Sequence, residues 1–246
     1  MTLKRFEEIL FSMKKGKACD IYQLKAEPLQ NCGSRAKLSV LQLINSIIEH
    51  IHHLSCSQIK FGIRTSIHKG KRKPKHKGSS YRRITVSPII GSILDRYIDP
   101  VTEGIFRPKQ NSDQLGFTKK NSYLMASVQR GECQRWAIDR KMTCFGVSLD
   151  RESAFPSVDR NILFRELYSV GERGDFHQYS RNTYLNTDCK IKSDDKLSRS
   201  ITEHSGTRQG HVKASGHYKA YINPCLDALN SADFGFHIGP IEVCYS

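Results

Sequence analysis

Two kinds of apolar spacing in one chain, separated by a dense basic segment, predict an α+β fold. Leu38, Leu41, Ile44, Ile48 and Ile51 recur every three or four residues, the rhythm of a helix with one buried face. Phe145, Val147 and Leu149 instead alternate with Cys144, Gly146 and Ser148, the rhythm of a strand with two unlike faces. Between them lies "HKGKRKPKHKGSSYRR", His68 to Arg83, where charge density, glycines and Pro74 forbid a packed core. With 246 residues the chain is long enough to bury a sizeable core, as one large domain or two small ones.

The first residues, "MTLKRFEEILFSMKKGK", predict an amphipathic helix with Phe6, Ile9, Leu10 and Met13 on one face. Charges stand where a signal peptide would carry its apolar region, and no apolar run approaches the ~20 residues needed to span a bilayer. A soluble, intracellular protein of the nucleus or cytoplasm, without a membrane partner, is the expectation. The second helix runs from about Lys37 to Leu54. Its end, "HIHHLSC", clusters imidazoles and a thiol, but histidines decorating an amphipathic helix explain it without a metal. Eight cysteines are scattered with no zinc-ligand spacing, which fits reduced thiols.

The basic segment reads as an exposed loop in which Lys71, Arg72, Lys73 and Lys75 contact phosphates, or as a nuclear-import signal, or as a solvated linker. It divides a helical region at 1–68 from the remainder at 81–246, with 69–80 as linker or loop. From Ile84 a short β-rich entry leads to a helix carrying Ile89, Ile90, Ile93, Leu94, Tyr97 and Ile98, which Pro100 should stop. A basic loop spans Glu103 to Lys120, and a helix interrupted near Gly131 follows it.

The strand "CFGVSLD" has one bulky face and one small, polar face ending on Asp150. Either the small face is kept low so that a large substrate can approach the carboxylate, or the strand is half exposed and Asp150 merely faces solvent. Ser157 or Asp159 then caps a helix with Ile162, Leu163, Leu167 and Val170, which Gly171 terminates. A polar hairpin is expected at Ser193 to Asp195. A Gly-rich basic loop, Gly206 to Gly216, enters a helix bearing Tyr218, Tyr221, Ile222, Leu226 and Leu229, and "FGFHIGPIEVCYS" closes the chain as a hairpin.

Thirty-nine Lys and Arg against 24 Asp and Glu give a formal charge of +15. Such an excess favours a polyanionic partner, nucleic acid before an anionic membrane surface.

Four pieces in order, "YRRITVSPIIGSILDRYI", "QLGF", "VSLDRESAFPSVDR" and "GTRQGHVKASGHYKAYIN", resemble the reverse transcriptase domain of non-LTR retrotransposons. The resemblance covers roughly Tyr81 to the C-terminus. It implies partial right-hand polymerase fingers and palm, with an antiparallel palm sheet packed on helices. The activity implied is RNA-directed DNA synthesis: templated addition of deoxynucleotides to a primer 3′ end. Deoxynucleoside triphosphates, an RNA template and a DNA primer would be the partners, with Mg2+ as cofactor and no protein partner.

Residue by residue, the resemblance makes Asp150 the first catalytic, metal-binding aspartate. Phe155 becomes the aromatic that disfavours a 2′-hydroxyl, unless it is simply a core residue. Arg82 becomes the contact to the triphosphate, while Gln209 and Gly210 lie beside the nascent base pair and Gln114, Gly116 and Phe117 position the template. Arg83 stands where the family has proline, which leaves the choice between Arg82 and Arg83 open, and Pro156 replaces an aspartate. The family's paired aspartates would follow "IEVCYS". Asp194 and Asp195 precede the "RQG" loop, in the wrong order, and read as a surface turn. With one carboxylate of the metal site, this chain is expected to be inactive or nearly so. The alternative is a non-catalytic basic nucleic-acid-binding remnant.

Overall fold

The computed structural model describes residues 1–51, 57–70, 72–118 and 121–232, and two short strands beyond them. Helices α1 (Leu3–Ser12), α2 (Ala26–Asn31) and α3 (Ser34–Glu49) come first, followed by strands β1 (Gly62–His68) and β2 (Tyr81–Val86). Helices α4 (Ile89–Phe106), α5 (Tyr123–Asp139), α6 (Arg160–Ser169) and α7 (Gly174–Tyr184) lead to β3 (Thr187–Ser193), β4 (Lys196–Leu197) and β5 (Ile201–Glu203). Helix α8 (Ala214–Ser231) and the hairpin β6 (Phe236–Ile238) and β7 (Ile241–Val243) complete the order.

One mixed sheet has the order β2-β1-β3-β4, with β5 also paired to β3. β1 and β2 form an antiparallel hairpin in which Arg64 faces Thr85 and Ser66 faces Arg83. β1 runs parallel to β3, with Gly62 opposite Cys189, a crossover that the intervening helices make possible. The basic segment 69–80 is therefore the connection of the β1–β2 hairpin.

Helix α4 is the element that all three apolar clusters share. Its N-terminal half, through Ile89 and Ile93, packs with Phe6, Ile9 and Leu10 of α1 and with Leu41 and Ile44 of α3. Leu94 and Ile98 meet Ile51 and Tyr179. Phe106 at its far end joins Val158, Leu163, Phe164, Leu167 and Tyr184. The expected stop at Pro100 does not occur: the helix continues to Phe106 with the proline inside it. Pro100 is exposed, so the missing N–H falls on the solvent side, and burial of the apolar stripe offsets a cost of roughly 3 kcal/mol.

The start of α4 is capped from a distance. Buried Asp20 accepts from the backbone amides of Tyr22 and Leu24 through Oδ1 and of Ile89 through Oδ2, each at 2.9 Å. A carboxylate at a helix N-terminus satisfies an orphan amide and opposes the positive end of the helix dipole. Through it the segment before α2 is tied to the opening of α4.

Two other local expectations fail. Helix α5 runs unbroken through Gly131. Residues 142–150 form no strand, and Phe145, Val147 and Leu149 are 89%, 84% and 83% exposed. Alternation prepares a segment for a ladder but cannot replace the neighbour that completes its hydrogen bonds, and no described strand lies beside this one. By contrast Asp159 caps α6 as its position predicts, accepting from the amides of Asn161 and Ile162 at 2.8 and 3.1 Å. Asp194, at positive φ, turns the hairpin between β3 and β4. His52 to Cys56 and Cys244 to Ser246 lie outside the described residues.

Candidate functional site

Three of the sequence motifs meet at the free edge of β2. The amide of Thr85 donates to the carbonyl of Gln209 at 2.9 Å, so the "TRQG" loop runs beside the strand that carries Arg82 and Arg83. Gly210 makes this approach possible: at φ +102° a side chain would be strained, and a Cβ would sit 3.0 Å from the Thr85 carbonyl. The other side of the loop pairs with "AFPSV". The amide of Gly206 donates to Val158 and that of Thr207 to Phe155, at 2.8 and 2.9 Å. A Cβ on Gly206, at φ +80°, would lie 2.7 Å from the Pro156 carbonyl.

Phe155 is half buried at the centre of an aromatic row. Its ring lies 6.0 Å from Phe117 in an edge-on contact and 5.1 Å from Tyr218, which is 6.4 Å from Tyr221. Phe117 comes from "QLGF", so that motif reaches the same place. The loop before it is laced to α8: the Asn111 amide donates to Asn223 at 2.6 Å, Asn111 Nδ2 to Asp227 at 2.7 Å, and Asn230 to Asp113 at 3.0 Å. The Gln114 carbonyl accepts from Gln110 and Thr118, and Gly116 is exposed. Phe117 is 66% exposed, and it and Ser153 hold positive φ without being glycine. Left-handed backbone at non-glycine positions is strained and persists where surrounding contacts impose it.

Asp150 is exposed and forms no part of a regular element. Its neighbour Arg151 donates to Ser157 Oγ at 3.1 Å and lies over the Tyr221 ring at 5.5 Å, which anchors the chain just after the aspartate. Among the described residues no three His, Cys, Asp or Glu side chains approach closely enough to hold a metal ion. The residues present therefore do not fit the magnesium site that the resemblance implies, and no chemical step is derived through it.

Beneath the loop lies a set of buried charges. Glu203 pairs with Arg208 and with Arg64, and its side chain is only 5% exposed. Arg208 also donates to the carbonyls of Lys60 and Asp188, which fastens the residue preceding Gln209 to the sheet layer. Arg160 meets the carbonyls of Tyr184, Glu203, Ser205 and Gly206, a cation solvated by backbone oxygens. Burial pushes both Arg160 and Arg208 down to about 10, as desolvation penalises a charge.

Further inside, His211 Nε2 lies 2.7 Å from Asp95 Oδ2, and the Tyr179 hydroxyl donates to Asp95 Oδ1 at 2.7 Å. Burial alone would raise the Asp95 carboxyl, but His211, Tyr179 and Lys213 together hold it below its ordinary value. Lys213 is lowered by burial, although Glu172 and Asp95 oppose this, and it donates to Ser180 at 2.9 Å. Glu172 is raised by burial, against Lys213 and Ser180. These residues position the loop on α4 and α7. Sequence reasoning missed them because each pair joins distant segments and leaves no periodic trace.

The basic hairpin connection stands apart from this site. Lys73 and Lys75 offer their carbonyls to His68 and Tyr81 at 3.1 and 2.9 Å, while the side chains of Arg72, Lys73 and Lys75 are exposed. Lys71 lies outside the described residues. No helix among the described residues is long and apolar enough to cross a membrane. A scan against protein-family models returns no match for this chain, and a search of curated proteins likewise finds none.

Proposed function

We propose that the chain is the nucleotide-contacting part of a reverse-transcriptase-like, RNA-directed DNA polymerase. The observation that carries this reading is the meeting of Gln209–Gly210, the strand of Arg82 and Phe155, with Phe117 beside it. Arg82 supplies a planar, permanently charged donor for a triphosphate. Phe155 presents a ring edge where a sugar would lie, and a 2′-hydroxyl there would meet carbon. Gln209 offers an amide beside the base, and the exposed lysines of the hairpin connection provide phosphate contacts for an RNA template and DNA primer. The reading is one of nucleotide and template binding.

The test is equilibrium binding of dATP and ATP in the presence of a primed RNA template. Tighter binding of dATP, with the difference collapsing in Phe155→Val, is the expected result. Equal affinity of the unaltered protein for both nucleotides would sink the reading.

A second reading, a non-catalytic basic nucleic-acid binder, is favoured by the exposure of Asp150 away from any other carboxylate cluster among the described residues. Asp150→Asn separates the two. A binder keeps or gains affinity for RNA and shows no deoxynucleotide preference, whereas the polymerase reading requires that preference.

A further inference from the structure

The two faces of β2 are not equivalent. Strand alternation puts Arg82 and Ile84 on one face and Arg83 and Thr85 on the other, where their β1 partners Ser66 and Arg64 share it. Arg83, Thr85 and Arg64 wall a cleft of about 210 Å3 whose opposite side is the loop from Thr202 to Gln209. Arg82 is absent from its lining.

The charges of this cleft do not balance. Four guanidiniums, Arg64, Arg83, Arg160 and Arg208, face one carboxylate, Glu203. Arg160 meets only carbonyl oxygens and Glu203 is already shared by Arg64 and Arg208, while Arg83 pairs with no described group. Two buried polar atoms in the same lining also lack partners among the described residues: Arg64 Nε and the hydroxyl of Thr207, a residue only 4% exposed. Buried donors without acceptors are costly, and clustered cations in a low-dielectric cleft repel one another. One oxyanion would relieve both.

We propose that this cleft is a phosphate-binding site, in which Arg83 and Arg64 donate to the oxyanion from the sheet and the Thr207 hydroxyl donates from the loop. Guanidinium forks match the spacing of phosphate oxygens, and the site's partial burial strengthens each bond. The bound group is either a free phosphate or pyrophosphate ion or a phosphodiester of a nucleic-acid strand. Arg83 and Arg64 reach the site from the face of β2 opposite Arg82, and Gln209 borders it, so the cleft adjoins the nucleotide contacts proposed above without using Arg82.

The test titrates pyrophosphate and, separately, a short oligothymidylate into the full chain at low ionic strength by calorimetry. Arg83→Gln, at an exposed position where folding is not at stake, should weaken binding roughly tenfold, the loss of one charge-assisted contact. Thr207→Val should weaken it severalfold, while Arg135→Gln, at an exposed arginine of α5 outside the cleft lining, should change it less than twofold. Loss confined to pyrophosphate assigns a free ion, and loss confined to the oligonucleotide assigns a phosphodiester; both support the site. Arg83→Gln and Thr207→Val binding both probes like the unaltered protein, or Arg135→Gln losing as much as Arg83→Gln, would overturn it.

Discussion

Replacing Glu203 with Gln should cost about 3 kcal/mol of folding stability. The carboxylate is 5% exposed and pairs with Arg208, itself 3% exposed, at 2.5 Å, and with Arg64, which is 22% exposed. Glutamine keeps the volume but removes the charge, so two guanidiniums lose the carboxylate they share and one acceptor becomes a donor facing a donor. Breaking a buried pair from one side typically costs about 3–5 kcal/mol, and the lower end applies because solvent screens part of the Arg64 contact. For a chain of this size the loss corresponds to a fall in melting temperature of roughly 6–12 °C. Urea denaturation followed by circular dichroism measures it directly, with an unchanged slope showing that the same surface unfolds. Removing the partner as well, in Glu203→Gln with Arg208→Met, should recover part of the loss, since the stranded charge goes with it. A loss below about 1 kcal/mol for the single variant would show that these charges do not hold the loop, and the reasoning would fall.

Two further effects follow from buried polar groups. His217 lies 2.8 Å from the Tyr184 hydroxyl, and burial, with the charges of Lys213 and His211, holds its imidazole well below the ordinary 6.5. A depressed folded-state value means that the unfolded chain takes up the proton first. The contribution is therefore fully present above about pH 6.5 and is lost as pH falls below it, at up to about 1.4 kcal/mol per pH unit. Unfolding titrations at pH 7 and 5.5 should show this slope in the native protein and lose it in His217→Phe. Asp20→Ala should cost about 2 kcal/mol, because the amides of Tyr22, Leu24 and Ile89 lose their acceptor together. Hydrogen exchange at the Ile89 amide should accelerate in step with that loss, and an unchanged exchange rate would refute the distant cap.

How much was legible depended on the range of the interaction. Helix α3 could be read from its spacing, although Leu38 proves 43% exposed and the burial falls on Leu41 and Ile44. The Asp159 cap and the turn at Asp194 are local chemistry and stood in the sequence plainly. The strand at Phe145 to Leu149 did not form, because its condition is a neighbouring strand, which no alternation can announce. At the site, Gln209, Gly210, Phe155 and Phe117 were singled out from their motifs, and the fold brings them together. Glu203, Arg64, Arg160 and Asp95 were not, since a buried charge is recognised only by the partner that folding delivers. Arg82 and Arg83 are neighbours in sequence whose strand parity alone sends them to opposite faces.

The stretch from Met142 to Asp150 also bears on how copies of the protein would meet. An irregular segment whose Phe145, Val147 and Leu149 side chains stand in solvent is an apolar patch open to contact between molecules. A formal charge of +15 opposes such contact by mutual repulsion. Salt shortens the reach of that repulsion without weakening the apolar contact. Raising ionic strength should therefore favour contact between copies through this patch.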